Sequence, residues 1–145
     1  MEILGPLKQI GVVRSSLTDR AAAPRQGFEG APEASIEIDP ALAAGLDGLA
    51  AGHEIIVVTW LHQSSRDVLA VHPRDDAAAP LTGVFATRSP DRPNPLGLHR
   101  VRILAIAGPT LKVGPLEAID GTPVVDIKIA LAEVDDPAAS YDTAR

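Results

Sequence analysis

Glu54-Ile-Ile-Val-Val-Thr-Trp-Leu61 is the run that decides the fold class. Its β-branched and aromatic residues favour extended backbone, and a run this short has the length of a strand rather than of a helix. It is apolar on both faces, which predicts a central strand. Val68-Leu-Ala-Val-His72 follows across a short polar segment and is the expected partner of that strand. On the N-terminal side, Ile10 to Arg14 reads as a short strand, and Ser35-Ile-Glu-Ile-Asp39 alternates polar and apolar as a strand with one wet face does. Thr18 to Gly27 between them reads as an irregular loop of small residues. Asp39-Pro40 is a good N-cap followed by a proline tolerated at the first helical position. With Leu42, Leu46 and Leu49 at helical spacing, this predicts one short helix over residues 40–51.

On the C-terminal side, Val84 to Thr87 reads as a strand that Pro90, Pro93 and Pro95 bring to a stop, since proline cannot donate to a sheet ladder. That strand would deliver Arg88, Arg92 and Asn94 onto a stiff loop, which loses little entropy when it binds. Pro90 and Pro93 also fit the spacing of a polyproline ligand, but strand-like runs flank them. Arg100 to Ile106 is a further strand, with Val101, Ile103 and Ala105 on one side and Arg100 and Arg102 on the other. Leu111 to Gly114 and Val124 to Leu131 complete the set, and Asp120-Gly121 is a turn dipeptide that favours a hairpin. Within the last strand Asp126 and Lys128 share one face and could pair to hold it to its neighbour. Seven or eight strands joined by short connections, without βαβ alternation, predict a mainly β chain folded as an antiparallel barrel or sandwich.

The chain has 145 residues, which suits one domain: residues 1–135 as the β domain and 136–145 as a loosely held tail. Its aromatic residues are Phe28, Trp60, Phe85 and Tyr141, so the core must be built from aliphatic side chains. With no cysteine there can be no disulfide, thiolate metal ligand or thiol nucleophile, which suits a reducing cytoplasm. No apolar run is long enough to span a membrane, and the N-terminal residues lack the pattern of a signal peptide. The net charge of −6 argues against a surface that coats nucleic acid, although the basic residues concentrate between Arg66 and Lys112.

Familiar catalytic patterns are missing. The histidines His53, His62, His72 and His99 have no metal-ligand spacing, and no metal site is expected. There is no phosphate-binding glycine loop and no nucleophile elbow, and Ser64-Ser65 beside His62 has no supporting motif. What remains is a set of polar clusters on loops: Pro24-Arg25-Gln26, His62-Gln63, Arg88 to Gly97, and Asp120 to Lys128.

These clusters, in this order, resemble the TrmO family, also called YaeB-like or VirR-type proteins. The resemblance is carried by Ile10-Gly-Val-Val-Arg-Ser15, Pro24-Arg-Gln26, His62-Gln63, Gly83-Val-Phe-Ala-Thr-Arg-Ser89, Arg92-Pro-Asn-Pro-Leu-Gly97 and Asp120-Gly-Thr-Pro-Val-Val-Asp-Ile-Lys128. It implies a β-barrel, a homodimer, and S-adenosylmethionine-dependent methylation of N6 of threonylcarbamoyladenosine in tRNA beside the anticodon. Carried over motif by motif, it places the cofactor against Pro24, Arg25, Gln26, His62, Gln63, Arg88, Leu98 and Leu116-Glu117-Ala118-Ile119. Arg92, Asn94 and Lys128 become substrate or loop residues, and His62, Asp120 and Asp126 are candidates to draw a proton from the acceptor. Leu98-His-Arg100 departs from the serine that many relatives carry after the loop. Other readings are transfer to a small molecule or another modified base, and a non-enzymatic S-adenosylmethionine-binding regulatory module.

Overall fold

In the computed structural model, residues 5–25 and 27–131 are described. Eight strands appear among them: β1 (Gly11–Arg14), β2 (Ala34–Ile38), β3 (Glu54–Trp60), β4 (Ala70–Val71), β5 (Thr82–Gly83), β6 (Leu96–Ala107), β7 (Thr110–Gly114) and β8 (Pro123–Ile129). Six close into an antiparallel barrel in the order β1-β2-β7-β6-β3-β8, and β4 pairs with β5 outside it. The expected antiparallel barrel is therefore the architecture found.

Alternation builds the interior. Val13, Ile36, Ile55, Val57, Val101, Ile103, Leu111, Val113 and Val124 point inward and are almost wholly buried. Register matches them across neighbouring strands: Val13 stands opposite Ile36, Ile36 opposite Leu111, Ile103 opposite Val113, and Val101 opposite Ile55. With no aromatic side chain in the core, β-branched residues and leucine fill the barrel from all its walls.

Several local expectations are corrected. β3 pairs with β6 and β8, not with the run from Val68 to His72; only Ala70 and Val71 of that run are extended, and they pair with Thr82 and Gly83. Both faces of β3 are apolar because one lines the core and the other is only half covered. Val84–Ala86 is a turn of 3₁₀ helix rather than a strand, closed by Thr87 N–H donating to Val84 C=O. β6 starts earlier than expected, at Leu96, directly out of the proline loop. Ala105 is exposed rather than inward because the β6–β7 register shifts between Ile103 and Ala105. Asp120-Gly121 makes a turn, but it joins no hairpin: β7 and β8 lie apart in the barrel, and residues 115–122 cross its end between them.

The predicted helix forms as a 3₁₀ helix over Pro40–Leu46, with Asp39 accepting from Ala41 N–H. It stops short of residue 51 because Asp47 already turns out of helical backbone with ψ 131°, and Gly48 after it adopts φ +94°, a left-handed conformation that a right-handed helix cannot include. Leu42, Leu46 and Leu49 pack onto the core and cover one end of the barrel. The expected tail from residue 136 lies outside the described residues. Among those residues no helix is long and apolar enough to cross a membrane.

Candidate active site

Antiparallel closure sorts the loops. β1, β7 and β3 run one way and end at Arg14, Gly114 and Trp60; β2, β6 and β8 run the other way and begin at Ala34, Leu96 and Pro123. The segments 15–33, 61–95 and 115–122 therefore all emerge at the end opposite the 3₁₀ helix. They hold almost every polar residue singled out in the sequence.

The proline loop is held from three sides by arginines. Arg92 folds back on its own loop, donating from Nε to Ser89 C=O at 2.8 Å and from Nη2 to Thr87 C=O at 2.7 Å, with a further bond to Val84 C=O. Arg66 lies over the Trp60 ring, 5.1 Å from its centroid, and donates to Pro93 C=O at 2.7 Å and Asn94 Oδ1 at 3.3 Å. Arg20 donates to Gln63 C=O at 2.9 Å and to Asp91 Oδ1 at 3.0 Å, and Asp91 also accepts from Ser65 N–H. Four of the bonds from these arginines go to backbone carbonyls of residues 84–93, and a fifth goes to Gln63 C=O on the segment after β3, so guanidinium groups supply donors where a proline-rich stretch has few N–H groups of its own.

A second clamp joins residues 25–29 to residues 74–75. Arg25 pairs with Asp75 at 2.8 Å and Arg74 with Glu29 at 2.6 Å. Arg74 and Asp75 both take φ +56°, and this left-handed step turns both charges toward the facing loop.

The expected site residues separate into three groups. Pro24, Arg25, His62, Gln63, Arg88, Arg92 and Asn94 lie together on the loops at this end; Gln26 is outside the described residues. His62 and Arg88 are exposed and make no hydrogen bond or ion pair among the described residues, so both are open to a ligand. Arg92 is committed to the loop itself. Leu116, Ala118 and Ile119 are buried and plug the barrel mouth, while Leu98 faces outward from β6. Leu116 N–H donates to Pro32 C=O, and Ile119 C=O accepts from Thr122, whereas the backbone groups of Glu117 and Ala118 stay unpaired among the described residues.

Asp120 ties the mouth to the segment after β1: its Oδ1 accepts from Ser15 N–H at 3.0 Å and its N–H donates to Leu17 C=O at 2.7 Å. Asp126 and Lys128 are not brought to this end. They lie partway down β8, where Asp126 accepts from Ile127 N–H and helps line a cleft of about 580 Å³ beneath the 3₁₀ helix. They form no ion pair with each other, which removes the expected strand-pinning contact.

One cluster was missed in the sequence. His99 is buried between Thr59 and Glu117, with Nε2 2.6 Å from Thr59 Oγ1 and Nδ1 2.5 Å from Glu117 Oε1. Counting back in twos from Ile103 and Val101 puts His99 and Gly97 on the inner face, and that parity was the available signal. Among the described residues no group of three His, Asp or Glu is placed to hold a metal.

A closed six-stranded barrel with arginine-pinned loops gathered at one mouth makes this a small antiparallel β-barrel domain with a polar mouth. The chain belongs to the TrmO N-terminal domain family: residues 12–136 match the family described as tRNA-methyltransferase O N-terminal domain. A probable S-adenosyl-L-methionine-binding protein of Archaeoglobus fulgidus is 44% identical over 92% of this chain, which spans only 36% of that relative. One of the same description from Methanothermobacter thermautotrophicus is 43% identical, covering 89% of this chain and 92% of the relative. VirR of Rhizobium radiobacter, a probable S-adenosyl-L-methionine-binding protein, is 37% identical over 82% of this chain and 67% of its own length. The crystal structure of TrmO from P. aeruginosa superposes with a TM-score of 0.75 at 28% identity, covering 97% of this chain and 61% of that one. The chain thus spans about a third of the first relative and three fifths of the crystallised TrmO chain, and the family resemblance read from the loop motifs is borne out.

Proposed function

We propose that this barrel binds S-adenosylmethionine at its loop-bearing mouth and transfers the methyl group to tRNA, at N6 of threonylcarbamoyladenosine beside the anticodon. The observation that carries this reading is the convergence at one mouth of the loops that hold the family motifs, with Arg88 and His62 left unpartnered there. The names of the relatives support the cofactor, and the family description supports the acceptor class.

The residues fit this cofactor. Its methionine carboxylate needs a cation, and Arg88 has a free guanidinium suited to a bidentate pair. Its adenine needs an edge reader, and the unpaired backbone of Ala118 provides a donor and an acceptor. When bound, the cofactor supplies an electrophilic methyl group on a sulfonium, so no metal is required for activation.

The acceptor nitrogen is urea-like and weakly nucleophilic, so its proton must leave as the new bond forms. His62 is the candidate base best placed for this, being exposed at the mouth with its ring unengaged. Asp120 is occupied by the Ser15 backbone, and Asp126 sits lower on the barrel wall. Positioning by the pinned loops supplies most of the remaining rate. Leu96, Leu98, Leu104 and Ile106 stand exposed on the outer face of β6 and would give a homodimer a leucine-rich contact.

The test is methyl transfer from labelled S-adenosylmethionine to total tRNA from cells that make threonylcarbamoyladenosine and from cells that cannot. Label in the first tRNA alone is the expected result. Label in both moves the acceptor to another base. Cofactor binding without label in either leaves a small-molecule acceptor or a regulatory module.

A further inference from the structure

Thr59, His99 and Glu117 make a continuous chain of hydrogen bonds from the barrel interior to the mouth, and the reaction proposed above does not use it. Thr59 is fully buried and His99 is 5% exposed, so neither can meet a substrate. Direction follows from the donors. With Glu117 ionised, His99 Nδ1–H donates to its Oε1, and the Nε2 lone pair accepts the Thr59 hydroxyl proton. Both bonds point toward the carboxylate and fix its orientation.

Only one carboxylate oxygen is consumed. Glu117 Oε2 has no hydrogen-bond partner among the described residues. It faces the loop that follows Pro24 and Arg25: a Cβ on Gly27 would stand 3.1 Å from it. At the other end of the chain, a Cβ on Gly97 would stand 2.6 Å from Thr59 Oγ1 and 2.7 Å from His99 Nε2. Glycine thus clears space at both ends of the same network. Gly97 is the last residue of the Arg-Pro-Asn-Pro-Leu-Gly motif, and Gly27 follows Pro-Arg-Gln.

We infer that Thr59 and His99 are positioning residues that hold Glu117 so that its free oxygen receives the ammonium group of the ligand's amino-acid end. This rests on the proposed binding of S-adenosylmethionine and adds a partner for its second charge. A zwitterionic amino-acid group needs one anion and one cation; Glu117 is the anion, and the exposed Arg88 is the cation available at the same mouth. A largely buried carboxylate with one oxygen unengaged favours a charged donor over a neutral one, because a charged partner best offsets the loss of water.

The probe pair is S-adenosylhomocysteine, which carries the amino-acid end, and 5′-methylthioadenosine, which lacks it. Dissociation constants are measured by calorimetry on wild type, Glu117→Gln, Thr59→Val and Thr59→Ser. Glu117→Gln keeps the shape and an acceptor for His99, and should weaken S-adenosylhomocysteine about tenfold or more while leaving 5′-methylthioadenosine unchanged. Thr59→Val should weaken the same ligand several-fold, and Thr59→Ser should restore it. A purely structural role would lower the melting temperature without changing the ratio of the two affinities. An unchanged ratio, or equal loss for both ligands, overturns the inference while leaving the proposed function in place. If wild type binds neither ligand, the proposed function falls, and this inference falls with it.

Discussion

Arg92 reaches back across its own loop to the carbonyl of Thr87, at 2.7 Å, and by the same nitrogen to Val84. Its Nε holds Ser89 as well. One guanidinium therefore bonds three carbonyls, and for two of them, Thr87 and Ser89, it is the sole partner among the described residues. Lysine has a single point of donation and cannot reproduce this fork. Arg92→Lys should cost roughly 1.5–3 kcal/mol of stability, the range for hydrogen bonds from charged groups. Denaturant midpoints would measure the loss, and amide exchange should quicken chiefly over residues 84–95. Unchanged exchange there would mean that the prolines alone stiffen the loop.

Arg88 gives the opposite signature. It is exposed and without a partner among the described residues, so the fold does not depend on it. Arg88→Ala should leave stability within about 0.5 kcal/mol of wild type. It should still weaken S-adenosylmethionine binding about tenfold, and Arg88→Lys should recover only part of that, because the fork geometry is lost. Calorimetric titration of the two variants decides it: wild-type affinity in Arg88→Ala would remove this residue from the cofactor site.

What the sequence disclosed depended on how far each feature is local. Alternation in Ser35 to Asp39 and Val101 to Ile103 marked their inward faces, because side-chain parity is set within the strand itself. The pairing of β3 could not be read from neighbouring residues, since its partners start at Leu96 and Pro123, far along the chain. Val84 to Thr87 has strand-like composition, but the turn is closed by Thr87 N–H on Val84 C=O and braced by Arg92 bonding back to Val84, which no propensity records. The loop motifs lie on segments that meet at one mouth, whereas barrel closure decides that Asp126 and Lys128 sit apart from them. His99 showed only that it lacks metal-ligand spacing, because its partners, Thr59 and Glu117, are 40 and 18 residues away.

Asp120 and Asp126 were equal candidates in the sequence and should now behave differently. Asp120 bonds Ser15 and Leu17 across the mouth, whereas the Asp126 side chain bonds only the neighbouring Ile127 N–H among the described residues. Asp120→Ala should destabilise the protein by about 1–2 kcal/mol through the unpaired Ser15 N–H. Asp126→Asn should leave single-turnover methyl transfer at the wild-type rate, while His62→Gln slows it about a hundredfold or more, as expected for loss of a general base. A large rate loss in Asp126→Asn with normal folding would return that carboxylate to the reaction.

Trp60 offers a direct report on the mouth. It is the only tryptophan in the chain and ends β3 beneath Arg66. Arg66 is held between the indole and the proline loop through Pro93 and Asn94. A ligand that engages the loop must shift this guanidinium relative to the ring, and indole emission responds to a nearby charge. S-adenosylmethionine should therefore change Trp60 emission saturably, with a midpoint that matches calorimetry. Arg66→Met keeps an apolar stem over the ring and removes the charge, at a stability cost of about 0.5–1 kcal/mol for the exposed cation–π contact in addition to the lost bonds to Pro93 and Asn94. In that variant the emission change should shrink while binding persists. Binding seen by calorimetry with flat wild-type emission would place the ligand away from the Arg66 side of the mouth, and with it the role proposed for the proline loop.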